Sequence, residues 1–199
     1  LRIESTFADF VPQNGLAIGY DDIIDAGDGR NVVIGGNGDD VITAGNGDSV
    51  ILGDNGLAIF DADGNRVSVE TTDVAHGGDD LITVENGDHV LMGGSFDDKI
   101  TAGGGNDVIL GDNGIALYVA GRLVSVRSAW TEHDGRDEIE AGDGRHVVGE
   151  GAARGLQRHQ ITSSSALSAP AIRSASSASV ASTRRALISA ASDTNTSWR

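Results

Sequence analysis

Aspartates recur in this chain at one fixed place behind glycine-rich turns. Asp22 and Asp40 are separated by the same interval as Asp80 and Asp98, and Asp107 and Asp137 hold the same place in their own segments. The turns before or between them carry Gly35, Gly36 and Gly38, then Gly78, then Gly93 and Gly94, then Gly103 and Gly105. Carboxylates beside unobstructed glycine carbonyls are hard oxygen donors. Ca2+ takes roughly six to eight such oxygens, many of them from the backbone. The spacing therefore predicts Ca2+ sites between successive turns, with ligands from both. Asp39, Asp48, Asp79, Asp88 and Asp97 adjoin the junction position and are read as pointing outward. Asp54 and Asp112 open longer segments, where they shape the exit turn.

Other chemistry finds less support. His76, His89, His133, His146 and His159 show no close ligand pair and no helical HExxH spacing, so they read as surface or turn residues rather than a zinc site. Ser49 sits in a turn with no histidine near it in sequence, and no nucleophile, base and orienter can be assembled. GDGRNVVIGG at 27–36 lacks the helix that dinucleotide binding requires. No enzymatic role is expected.

The elements that position the aspartates follow from a nine-residue period. AIGYDDIID (17–25), AGDGRNVVI (26–34), GGNGDDVIT (35–43) and AGNGDSVIL (44–52) run in tandem. The nines resume at 75–110 and again at 132–149. In each, about six residues make a turn and the last three a short strand, whose middle apolar residue points inward. That row is Ile24, Val33, Ile42, Ile51, Ile82, Leu91, Ile100, Ile109, Ile139 and Val148. Two nonapeptides make one coil, and each coil buries its row only against its neighbours. The expected fold is all-β, a parallel β-roll or β-helix over 17–149 with a thin core.

Two inserts interrupt it, at about 53–74 and 111–131, each headed by GDNG. LAIF and VSVE around Asp63-Gly64-Asn65 predict a β-hairpin, and IALYVAGRLVSVR predicts a second. Residues 1–16 read as the remnant of an earlier insert. Residues 150–199 break the pattern. Ser and Ala make up 21 of the last 39 residues, and the expectation is disorder, with a weak helix at 180–192.

The charge fits a cation-binding roll. The whole chain carries −16, but residues 1–150 hold 29 acidic and 8 basic side chains. Such a surface disfavours nucleic acid and anionic lipid, and it repels itself unless something neutralises it. There is no cysteine to staple the coils, and bound metal is the substitute. No apolar run is long enough for a membrane span, so membrane insertion is not expected.

The turns resemble the G-G-x-G-x-D-x-U-x nonapeptide of the RTX, or hemolysin-type calcium-binding, family. GGNGDDVIT at 35–43 matches in full, and AGGGNDVIL at 102–110 misses only the first glycine. GGSFDDKIT at 93–101 has Phe96 where the turn wants glycine, and Asn31, Ser49, His89 and His146 replace the aspartate elsewhere. The resemblance implies calcium-dependent folding and type I export to the outside of a bacterial cell. The expected role is a calcium-dependent structural or adhesive module of a larger exported protein, with a glycan or protein partner at a cell surface or in a matrix. Two alternatives stand beside it. One is the secretion and folding region of a secreted protease, lipase or epimerase. The other is a carbohydrate-binding module using Phe60, Tyr118 and Trp130.

Overall fold

The computed structural model describes residues 1–5 and 20–149. The expected disordered tail with its helix, and most of the 1–16 segment, lie outside them.

In chain order the first strands are β1 (Arg2–Glu4), β2 (Ile23–Asp25), β3 (Val32–Ile34), β4 (Val41–Ala44), β5 (Val50–Leu52), β6 (Gly56–Phe60) and β7 (Arg66–Thr71). They are followed by β8 (Leu81–Val84), β9 (Val90–Gly94), β10 (Lys99–Ala102) and β11 (Val108–Asp112). The last are β12 (Gly114–Val119), β13 (Arg122–Ser128), β14 (Glu138–Ala141) and β15 (Val147–Gly149).

Alternate nonapeptides feed alternate sheets. β14-β10-β8-β4-β2 form an outer sheet and β15-β11-β9-β5-β3 a middle sheet, all parallel. The register is residue for residue, with Ile42 opposite Ile82, Ile82 opposite Ile100 and Ile100 opposite Ile139. This is the parallel β-roll that the period predicts. Its inner row is the predicted one: Ile42, Ile51, Ile82, Leu91, Ile100 and Ile109 are fully buried, with Ile24 and Val148 packed at the ends.

The inserts form a third sheet, ordered β1-β6-β7-β12-β13 and antiparallel throughout. β6–β7 and β12–β13 are the two hairpins, and β7 pairs with β12 across them. β1 lies on β6 as β7 lies on β12. Even the bridging hydroxyl recurs, since Ser5 accepts the Gly56 N–H at 2.9 Å and Thr71 accepts the Gly114 N–H at 3.1 Å. Each of the three sheets thus has five strands. An insert of two strands every two coils keeps the third sheet in step with the roll, because neighbouring strands in any sheet share about the same 4.8 Å spacing. That matching accounts for the long period, four nonapeptides and one insert.

The third sheet covers the middle sheet, so the core is not one residue wide as the nonapeptides suggest. Val50, Leu52, Val90, Met92, Val108 and Leu110 turn their outer-face side chains against Ala58, Val69, Ala116 and Tyr118 of the inserts. The middle-sheet strands are buried on both faces, while Thr43, Leu81, Thr83, Lys99, Glu138 and Glu140 of the outer sheet face solvent. Of the three aromatics behind the carbohydrate-binding alternative, Tyr118 is buried in this second core, Phe60 packs half-buried against it, and Trp130 is exposed.

Candidate metal centre

The roll has two edges, and they are built differently. Segments that lead into the outer-sheet strands make the first edge, directly from the middle sheet before β4 and β10 and from the insert sheet before β8 and β14. They end at Asp40, Asp98, Asp80 and Asp137, with Asp22 at the exposed end of the stack. Turns running from the outer sheet to the middle sheet make the second edge and end at Asn31, Ser49, His89, Asp107 and His146. Of the predicted site residues, the structure brings Asp22, Asp40, Asp80, Asp98 and Asp137 together on the first edge, with Gly35, Gly36, Gly38, Gly78, Gly93 and Gly94 in its turns. It places Asp107, Gly103 and Gly105 on the second.

On the first edge each carboxylate accepts a backbone N–H from the coil before it. Asp40 accepts from Asp22 at 2.7 Å, Asp80 from Asp40 at 2.8 Å, Asp98 from Asp80 at 2.8 Å and Asp137 from Asp98 at 3.1 Å. These bonds all go to Oδ1. The buried Oδ2 atoms of Asp40, Asp80 and Asp98 have no hydrogen-bond partner. Leaving a buried acceptor unsatisfied costs about 1–3 kcal/mol, and more when it is charged.

Glycine makes room for the Oδ2 atoms. A Cβ on Gly35, Gly53, Gly93 or Gly111 would collide with the Oδ2 of Asp40, Asp80, Asp98 or Asp137 in turn. At Gly35, Gly53 and Gly93 the same Cβ would also press on the carbonyl oxygen of Gly53, Gly93 or Gly111 in the next coil. At Asp40, Asp80 and Asp98 a carboxylate Oδ2 without a donor therefore shares one small space with a carbonyl oxygen. That is the donor set of a hard cation. Among the described residues no three His, Asp or Glu side chains converge on a point.

Burial pushes these carboxyls upward. Asp80 rises to about 8, with the Asp54 and Asp40 charges adding to the effect and the Asp40 N–H opposing it. Asp137 rises to about 7, again through burial first and then the charge of Asp112. Asp98 is raised well above the carboxylate range by burial and by Asp80, and Asp40 is raised by burial. A divalent ion would reverse these shifts by favouring the ionised form.

The neighbouring aspartates do point outward. Exposed Asp21, Asp39, Asp79 and Asp97 form a second ladder of opposite sense, each accepting an N–H from the following coil at 2.8–3.1 Å. Asp54 and Asp112 shape the insert exits. Asp54 accepts N–H groups from Gly78 and Ser95 at 3.1 and 2.6 Å, and Asp112 accepts from Gly135 at 2.7 Å. Phe96 keeps the left-handed backbone of the glycine it replaces, with φ at 78°.

The second edge is filled differently. Asn31 N–H donates to Ser49 Oγ, and Ser49 N–H donates to His89 Nδ1, both at 3.3 Å. His89 N–H donates to Asp107 Oδ1 at 2.9 Å. Asp107 Oδ2 meets His146 Nδ1 at 3.0 Å, within ion-pair range but away from the ideal hydrogen-bond direction. Burial raises the Asp107 carboxyl, while the His89 N–H and the charges of His89 and His146 hold it back. His89 and His146 are thus buried turn groups rather than surface ones. Ser49 does meet a histidine, brought from 40 residues away, but through its backbone N–H. Its hydroxyl is bound to Gly29 O at 3.3 Å, which leaves no nucleophile–base pair there. Arg66 was not legible as a site residue. It donates to the carbonyls of Asp48 and Asp88 at 2.8 and 2.9 Å, and Leu123 stands at its place in the second hairpin, so no repeat marks it.

A family model described as the RTX calcium-binding nonapeptide repeat matches four copies, at residues 17–56 and 85–115. The chain carries RTX calcium-binding repeats. The matched segments hold Asp22, Asp40 and Asp98 of the first edge together with Asp107 of the second. RTX repeats bind Ca2+ and form β-rolls of this kind, and the unpartnered Oδ2 atoms of Asp40 and Asp98 lie in the matched segments, while that of Asp80 lies between them. No curated protein and no solved structure matches the chain. Among the described residues no helix is long and apolar enough to cross a membrane.

Proposed function

We propose that this chain is a calcium-locked structural module of a larger exported protein. Calcium sits between successive turns of the first edge. The ligands are the Oδ2 atoms of Asp40, Asp80, Asp98 and Asp137, with Asp22 closing the end of the row, and the turn carbonyls around Gly35, Gly36, Gly38, Gly78, Gly93 and Gly94. The observation that carries this reading is that the buried Oδ2 atoms of Asp40, Asp80 and Asp98 have no donor.

The mechanism is charge compensation across coils. Without the ion, neighbouring carboxylates repel, and each loses its hydration with nothing in return. With it, one cation ties each coil to the next at every second turn, and the stack becomes a stiff rod. Such a rod suits a surface or matrix protein that holds a binding part away from the cell, and extracellular calcium is abundant enough for weak sites of this type. Adhesion, type I export and the partner at the far end belong to this proposal. The secreted-enzyme alternative has no observation of its own in these residues.

Isothermal titration of the full chain with Ca2+ and, separately, Mg2+ tests it. Saturable binding of several Ca2+ ions with much weaker Mg2+ binding is expected, because Mg2+ demands near-octahedral geometry and keeps its waters. Equal response to both ions would reduce the edge to a diffuse acidic surface.

A further inference from the structure

We infer that this roll takes calcium along its first edge only, and that its second edge is closed by the chain's own side chains in calcium's place. The inference rests on the calcium reading above and sharpens it.

Both edges use the same backbone device. The junction residue of one coil accepts the N–H of the junction residue before it, whether the acceptor is Asp80 or Ser49. They differ in what remains after that bond. On the first edge a buried carboxylate oxygen is left over at Asp40, Asp80 and Asp98. On the second edge Asn31, Ser49, His89 and His146 bring no carboxylate at all. Asp107 brings one; its Oδ1 is bonded to His89 N–H, and its Oδ2, like those of the first edge, accepts no hydrogen bond, but it lies 3.0 Å from His146 Nδ1, a partner, cationic when protonated, that no first-edge oxygen has.

The turn carbonyls are engaged as well. His89 Nε2 approaches Glu85 O at 3.3 Å, and His146 Nε2 approaches Gly142 O at 3.0 Å, the carbonyl four residues upstream in each case. These are carbonyls of the turns, the groups that a cation needs to complete its shell. Arg66 takes two more. Its guanidinium reaches from β7 of the insert sheet and bridges the carbonyls of Asp48 and Asp88 in successive coils. A fixed positive charge spanning two turns does there what an ion does on the opposite edge. One roll thus combines a metal-dependent edge with an edge that is covalently supplied.

The test is a count of bound calcium per full-length chain, by equilibrium dialysis with metal analysis, for the wild type, Asp98→Asn and Asp107→Asn. Asp98→Asn lowers the count by at least one ion, and Asp107→Asn leaves it unchanged. A count lowered as much by Asp107→Asn as by Asp98→Asn overturns the one-edge assignment while leaving calcium binding intact. A wild type that binds none overturns the calcium reading itself. Where Asp107→Asn does not fold by circular dichroism, Asp107→Ser replaces it, since Ser49 already fills that column; an unchanged count supports the assignment and a lowered one overturns it.

Discussion

Asp98 and Asp80 are joined by a single hydrogen bond, Asp80 N–H to Asp98 Oδ1 at 2.8 Å, and the other oxygen of Asp98 is buried with no donor. The same half-used carboxylate recurs at Asp40 and Asp80. The structural hydrogen bond needs one oxygen, and the second is the one we propose the ion takes.

Substituting Asp80 with Asn separates those two jobs. The amide keeps an acceptor for Asp40 N–H and replaces the unpartnered anionic oxygen by a neutral NH2. Asp80→Asn is expected to stabilise the calcium-free chain by about 1–3 kcal/mol while weakening the calcium-bound one. Urea unfolding of both proteins, with chelator and with saturating Ca2+, should therefore show opposite signs. The same sign in both conditions contradicts the division.

The glycine that opens each first-edge turn is required by the space it leaves. Gly93→Ala drives a methyl into Asp98 Oδ2 and Gly111 O, whereas at Gly27 nothing lies within 4 Å and only the φ of 65° resists a side chain. Gly93→Ala should cost about 1–3 kcal/mol or more through overpacking, and calcium affinity with it. Gly27→Ala should cost about 1–2 kcal/mol and leave affinity alone. Thermal unfolding and titration of the two variants side by side check this.

Tyr118 tests the second core. Its ring is buried between the insert sheet and the middle sheet, its hydroxyl has no hydrogen-bond partner, and burial pushes its ionisation up to about 12. Tyr118→Phe should be neutral or stabilising by up to about 1 kcal/mol, because it deletes an unsatisfied buried group. Chemical unfolding of the variant beside the wild type measures the difference, and a clear loss of stability would reveal a hydroxyl contact that the fold depends on.

Much of this was legible in the sequence, and the gaps have physical causes. The nonapeptide dictates turn and strand, so the roll, its inner row from Ile42 to Ile139 and the hairpin inserts all follow from spacing. The thin core did not hold, although a signal was present. Strands of the outer sheet carry Thr43, Thr83, Thr101 and Glu140 after the inward residue, while those of the middle sheet carry Leu52, Met92 and Leu110. That alternation, from one nonapeptide to the next, marks the sheet that something else must cover. The edges were only half legible: Asp recurs at every second junction, but Asp107 follows Asp98 at the very next one, and spacing alone puts it, with Gly103 and Gly105, into the same set of sites. What could not be read was where the substitutes go. Nothing about His146 in sequence points to Asp107, on the far side of the second insert, and Arg66 acts through carbonyls, which carry no sequence identity.

The calcium-free chain should lose stability as pH rises. Asp54, Asp80 and Asp137 sit at about 7, 8 and 7 when folded and near 3.8 when unfolded. Between those values the folded chain binds more protons, so their contribution is fully present below about pH 4 and is lost as pH climbs through 7 to 8. Calcium displaces the same protons, and its affinity should therefore strengthen over that upper range. Urea midpoints in chelator at pH 5 and pH 8, with the lower midpoint at pH 8, check the sign.

The most direct measurement is far-UV circular dichroism of the full chain followed through thermal unfolding, once with excess chelator and once with millimolar Ca2+. At neutral pH the account predicts a weaker β signal and a low unfolding midpoint in chelator, and a strong β signal with a much higher, calcium-dependent midpoint when the ion is present. Superimposable spectra and equal midpoints in the two conditions would contradict it, and the unpartnered carboxylate oxygens would then be held in place by something other than calcium.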